Sequence, residues 1–137
     1  MALTHLIDTS VVTRLRHPEV AAEVLELAAA GRMARATITD LEVGYSARNA
    51  AEWDATTGAL DIFDELDVGP EHFRRAIHVQ RQLAFASQRG RKIPDLLIAA
   101  VAEYADLVVL HYDADFDLIS AMTGQPTEWV VTSGTVD

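Results

Sequence analysis

A chain of 137 residues, half of them apolar and none of them cysteine, suits one compact domain over residues 1–137 and excludes disulfides and zinc–thiolate centres. Eleven basic residues against 21 acidic ones give a formal net charge of −10, which by itself argues against a nucleic-acid partner. No run of about 20 uninterrupted apolar residues is present, so no membrane span is expected. The first eight residues, Met-Ala-Leu-Thr-His-Leu-Ile-Asp8, lack the basic leader and long apolar core of a signal peptide. A chain without cysteine also fits a reducing cytoplasm.

Residues 3–7 read as a short buried strand that stops at Asp8. Residues 11–15 form a brief helical stretch, broken at His17-Pro18. Pro18 opens a helix over 18–30, with Val20, Val24 and Leu27 on one face and Gly31 as its stop. A second strand over 33–38 is followed by helices over 40–48 and 52–66, the latter carrying Trp53, Leu60 and Phe63 for packing. The turn at 67–70 closes at most a very short strand. Residues 71–88 are helical again, with Phe73, Ile77, Leu83 and Phe85 set among arginines. Arg89-Gly-Arg-Lys92 is a basic loop, and Pro94 stands at the start of a helix reaching about residue 105. The stretch 107–110 is wholly apolar, as a central parallel strand should be. A helix near 116–122 and a strand near 128–131 complete the chain. Strands alternating with helices predict an α/β fold, a mostly parallel sheet covered by helices on both faces.

Five acids stand out against this frame: Asp8, Glu42, Asp95, Asp113 and Asp115. All but Asp95 follow an apolar or β-branched stretch, and a helical pattern begins beside each. Residues just past the carboxyl ends of strands in an open α/β sheet gather in one crevice. Carboxylates brought together there repel one another unless a cation neutralises them, and Mg²⁺ or Mn²⁺ suits an all-oxygen site. Each acid also has a structural use. Asp8 can cap a helix, Thr39-x-x-Glu42 fits a capping box, Asp95 sits in a first helical turn, and Asp113 and Asp115 suit a turn and a cap. What those separate uses leave unexplained is that the strands before Asp8 and Asp113 should be neighbours.

Other chemistries lack their residues. The chain has no Gly-x-Ser-x-Gly elbow, no phosphate-cradling glycine loop and no His-Glu-x-x-His. A phosphoaspartate receiver wants a lysine beyond a late strand, whereas Lys92, the only lysine, precedes a helix. A dehalogenase-like phosphatase wants Asp-x-Asp after the first strand, where this chain has Asp8-Thr-Ser10. The segment 71–92 holds Arg74, Arg75, Arg81, Arg89, Arg91 and Lys92 against the single acid Glu71. A cationic stripe of that kind can hold a phosphate backbone on a chain that is acidic overall.

Asp8-Thr-Ser, Thr39-x-x-Glu42, Asp95-Leu-Leu-Ile-Ala and Asp113-x-Asp115-Phe116, in this order, resemble the acid motifs of the PIN-domain family, and the chain length is similar to that of VapC-type toxins of toxin–antitoxin pairs. The resemblance runs from Leu3 to about Val131, with one departure, His111, where the family often has Thr or Ser. It implies a three-layer α/β/α sandwich and a Mg²⁺- or Mn²⁺-dependent endoribonuclease. It also implies a homodimer neutralised by a cognate antitoxin that places a basic side chain in the acidic site. On this reading Asp8 and Asp95 bind metal directly, Asp113 and Asp115 complete the site, and Glu42 binds directly or through water. Ser10 would hold Asp8 or a water from behind, and Thr9 would mainly start a helix. Arg89, Arg91 and Lys92 would meet RNA phosphates. A non-catalytic PIN-like module that engages RNA or an antitoxin is the alternative. Trp53, Phe63 and Tyr45 are candidates for either a subunit interface or the core.

Overall fold

The computed structural model describes residues 2–137. Its five strands, β1 (His5–Ile7), β2 (Met33–Ala36), β3 (Asp64–Leu66), β4 (Val108–His111) and β5 (Thr127–Trp129), form one sheet in the order β3-β2-β1-β4-β5. Every pairing is parallel, with Leu6 opposite both Ala34 and Val109. Seven α-helices connect them: α1 (Thr9–Val12), α2 (Pro18–Ala29), α3 (Thr37–Gly44), α4 (Ala50–Gly58), α5 (Pro70–Phe85), α6 (Ile93–Ala105) and α7 (Asp115–Thr123).

Alternation along the strands separates two cores. Leu6, Ala34, Ala36 and Val109 face α5, α6 and α7, packing with Leu83, Ile98, Phe116 and Ile119. Their neighbours Ile7, Met33 and Leu110 face the other way, onto Val11, Val20, Val24, Leu60 and Phe63. A period of two in the strands therefore makes three layers, because successive side chains leave a strand on opposite sides. Phe63 belongs to this core at 2% exposure, so it is not available to a subunit interface, whereas Tyr45 is 89% exposed.

Two boundaries differ from the sequence reading, and both bear on the site. The β-branched pair Thr37-Ile38 reads as the end of the strand over 33–38, yet α3 begins at Thr37. Ile38 packs against the α5–α6 core and Thr39 is fully buried, so tertiary burial overrides strand propensity here. The Thr39–Glu42 capping box consequently does not form: the N-cap is Ala36, without a side-chain bond. The second difference lies in residues 52–66, where α4 ends at Gly58 and a 3-10 turn (Ala59–Ile62) leads into β3. Asp64-Glu-Leu has no β-branched residue, but β3 is an edge strand, where exposed charge discourages pairing with other chains. Gly44 is required where α3 meets α4, because a Cβ there would lie 2.1 Å from Trp53 Nε1.

Candidate metal centre

The sheet order reverses at β1, which pairs with β2 on one side and β4 on the other. Such a switch point is where an open parallel sheet leaves a crevice beyond its carboxyl ends. Asp8 follows β1 directly, and its N–H bonds Leu110 O of β4 at 2.9 Å. Asp113 lies two residues beyond β4, Asp115 opens α7, Asp95 stands in the first turn of α6, and α3 carries Glu42. Asp8, Glu42, Asp95 and Asp113 line one open cleft of about 240 Å³, together with Lys92, Arg14 and Tyr112. Carboxylate oxygens of Asp95, Asp113 and Asp115 lie within 4.8 Å of one another. All five acids singled out in the sequence thus meet in one place.

Their hydrogen bonds are unequal. Asp8 caps α1, accepting the Ser10 N–H on Oδ2 at 3.0 Å, while its Oδ1 is buried with no hydrogen bond. Asp95 is only 4% exposed, and its Oδ2 also has no hydrogen bond, the Lys92 ammonium standing 3.8 Å away. Asp113 accepts the Asp115 N–H at 2.9 Å and pairs with Lys92. Asp115 accepts Arg91 Nη1 at 2.7 Å, and Glu42 Oε1 accepts the Thr9 hydroxyl at 2.7 Å.

Those surroundings set the ionisation. Burial, reinforced by the charges of Asp8 and Asp113, pushes Asp95 up to about 8. Burial also raises Asp8, against hydrogen bonds from Ser10, and raises Glu42, against its bond from Thr9. Asp113 goes the other way. Its burial is the largest single influence and would raise it, but Lys92 and the Asp115 N–H together outweigh that and hold it low. A cluster that can ionise fully only against its own repulsion, with two buried carboxylate oxygens unsatisfied, lacks positive charge. The donors are all oxygen, and a hard divalent cation fits them.

The residues around the acids make contacts of their own. Thr9 does more than start a helix, because its hydroxyl holds Glu42. The Ser10 hydroxyl accepts the Tyr112 N–H at 2.9 Å, tying α1 to the loop that delivers Asp113. His111 Nδ1 accepts the Asp113 N–H at 3.2 Å, and burial lowers the pKa of this imidazole. Arg91 and Lys92 are not free, since both pair with acids of the cleft, while Arg89 is exposed. Arg14 and Tyr112 line the cleft without any sequence signal: neither sits in an acid motif or in the basic segment.

A parallel α/β sheet that gathers five acids at its switch point places the chain among α/β folds with an acidic cleft beyond their strand ends, and comparison with known proteins narrows the class. Residues 5–121 match the family model described as PIN domain. The chain is 61% identical over 137 residues to Ribonuclease VapC51 of Mycobacterium tuberculosis, covering 100% of both. It is 42% identical to Ribonuclease VapC18 of the same organism, covering 95% of this chain and 97% of the relative. The fold superposes with a TM-score of 0.78 on a DNA-bound VapBC structure from Salmonella typhimurium, at 18% identity and covering 94% of this chain and 99% of the other. The chain belongs to the PIN-domain family.

Proposed function

We infer that the chain is a metal-dependent endoribonuclease that hydrolyses RNA phosphodiester bonds as the toxin of a toxin–antitoxin pair. The observation that carries this reading is the convergence of Asp8, Glu42, Asp95, Asp113 and Asp115 on one cleft, in a chain whose full-length relatives are named ribonucleases. Asp8, Asp95, Asp113 and Asp115 would hold Mg²⁺ or Mn²⁺, with Glu42 joining directly or through water. When bound, the cation supplies the positive charge that activates an attacking water and stabilises the leaving oxygen.

The chain's own residues prepare that chemistry. Glu42 keeps Oε1 on Thr9, which leaves Oε2 to take a proton from the attacking water, and a carboxylate raised by burial suits a base. Ser10 fixes Asp8 from behind through its N–H. Arg91 and Lys92 leave their carboxylates for RNA phosphates once a cation neutralises the acids, joining Arg89. An antitoxin would reach the cleft with a basic side chain. Beside it, an apolar shelf of Ile38, Leu41, Tyr45 and Pro94 shares Glu42 with the site, and the exposure of Leu41 (71%) and Tyr45 suits burial by another protein surface. The working form is a homodimer in the cytoplasm, where RNA and antitoxin would meet it. Among the described residues no helix is long and apolar enough to cross a membrane.

The test is incubation of purified protein with total RNA in Mg²⁺, Mn²⁺ or EDTA, beside Asp8→Asn. Cleavage that needs a metal and vanishes in the variant is expected, and the mapped ends name the target. Protein that binds a metal but cuts nothing in any pool would instead be an RNA- or antitoxin-binding module.

A further inference from the structure

Of the residues lining the cleft, Thr13, Arg14 and Tyr112, just past α1 and β4, take no part in holding the cation or moving a proton. Arg14 is held there with care. Its Nη1 donates to Ser10 O at 2.7 Å, and its guanidinium carbon lies 4.8 Å from the centre of the Tyr112 ring. That ring is itself pinned. It meets Trp129 edge-on at 5.3 Å, its hydroxyl donates to Val136 O at 2.9 Å, and it accepts the N–H of Gly134 at 2.8 Å. The guanidinium therefore rests on a fixed platform, and little freedom remains for a ligand to remove.

What Arg14 lacks is a counter-charge. Arg91 pairs with Asp115 and Lys92 with Asp113, but no ion pair among the described residues includes Arg14, and its Nη2 has no partner there. With Nη1 on Ser10 O and Nε buried, Nη2 is the donor left for an anion brought from outside, on a fixed guanidinium that no carboxylate of the cleft neutralises. An RNA strand entering this cleft must pass carboxylates that repel its backbone, so a cation is needed where it enters. On the α1 side that cation is Arg14.

We propose that Arg14, seated on Tyr112, binds a phosphate of the RNA strand beside the scissile bond, in the cleft it lines together with Lys92. The inference rests on the nuclease reading. It makes Arg14 a substrate-binding residue, distinct from a merely structural one that closes α1 by satisfying Ser10 O.

The two roles separate by salt dependence. A fluorescein-labelled, mixed-sequence single-stranded RNA is titrated with Asp8→Asn protein in Mg²⁺ at several KCl concentrations, and anisotropy gives Kd. Mixed sequence suffices because phosphate contacts carry no sequence information. Adding Arg14→Ala should weaken binding on the order of tenfold and flatten the slope of log K against log salt by about 0.7, the value for one single-strand phosphate. Arg14→Lys should restore the slope without restoring all of the affinity, because the charge returns but the planar group seated on Tyr112 does not. Arg48→Ala, at an exposed pair with Glu52 away from the cleft, should change neither. An Arg14→Ala protein that melts earlier yet keeps the original slope overturns the proposal and leaves Arg14 a structural residue. A chain that neither binds this RNA nor cuts total RNA overturns the nuclease reading and, with it, this inference.

Discussion

Two groups of charged side chains sit at the carboxyl ends of adjacent strands, and they are built on opposite principles. On β2, buried Arg35 pairs with Asp40 at 2.8 Å, approaches Glu65 at 3.8 Å, and donates to Leu60 O and Phe63 O at 3.0 and 2.7 Å. The buried guanidinium there has its partners within the fold. Next door, between β1 and β4, five carboxylates meet Arg91 and Lys92 alone, two of their buried oxygens make no hydrogen bond, and Asp95 is pushed up to about 8. A balanced buried cluster fastens structure; an unbalanced one is held open for something that arrives from outside.

The contrast can be broken at either end. The largest effect is expected at the balanced cluster: Arg35→Leu would orphan Leu60 O and Phe63 O and unpair Asp40, costing about 3 kcal/mol in denaturant unfolding. The same measurement on Asp95→Asn should move the other way in EDTA, with the variant at least as stable as the parent, while Mn²⁺ affinity falls by roughly 100-fold. An Asp95→Asn chain as damaged as Arg35→Leu would mean that the two clusters do not differ in kind.

The pH dependence sharpens the comparison further. Asp95 titrates near 3.8 when unfolded and near 8 when folded, so between those values the folded chain holds a proton that the unfolded chain has lost. Stability of the metal-free protein should therefore fall as pH rises through this window, by about 1 kcal/mol or more between pH 5 and 9. Metal should flatten that fall, because the cation favours the ionised carboxylate. A metal-free stability that climbs over the same range would contradict the assignment. The smallest effect is expected at Lys92, whose ammonium pairs with Asp113 and stands 3.8 Å from both Asp95 and Asp115. It occupies ground that a cation would claim, so Lys92→Met should tighten Mn²⁺ binding a few-fold, on the scale of a partly exposed ion pair.

Most of the site was legible because its acids sit where local patterns change. An apolar run ending in Asp8 and another ending just before Asp113 placed both at strand ends, and their adjacency followed from the parallel alternation. Glu42 was found for an incomplete reason. Its capping-box spacing is real in the sequence, but Thr37-Ile-Thr folds as helix, and Glu42 turns to Thr9 instead of to the backbone. Strand β3 was barely legible because an edge strand of Asp64-Glu-Leu has neither branching nor alternation to show. On α5, Phe73, Ile77 and Phe85 remain half exposed or more while Ala76, Val79 and Leu83 are buried, so of the four apolar residues read there only Leu83 marks the face that packs. Arg14 and Tyr112 carried no signal, since their meeting depends on β1 and β4 lying side by side and on residues 134–136 pinning the tyrosine.

The unbalanced cleft is tested most directly by calorimetric titration of Mn²⁺ into metal-free protein at pH 7, in two buffers with different ionisation heats. Saturable binding that releases close to one proton per cation, and that is lost in Asp95→Asn, is the result expected from a carboxyl held up near 8 by burial and by its neighbours. Binding without proton release that survives Asp95→Asn, or no saturable binding at millimolar metal, would contradict a cation site built on these acids.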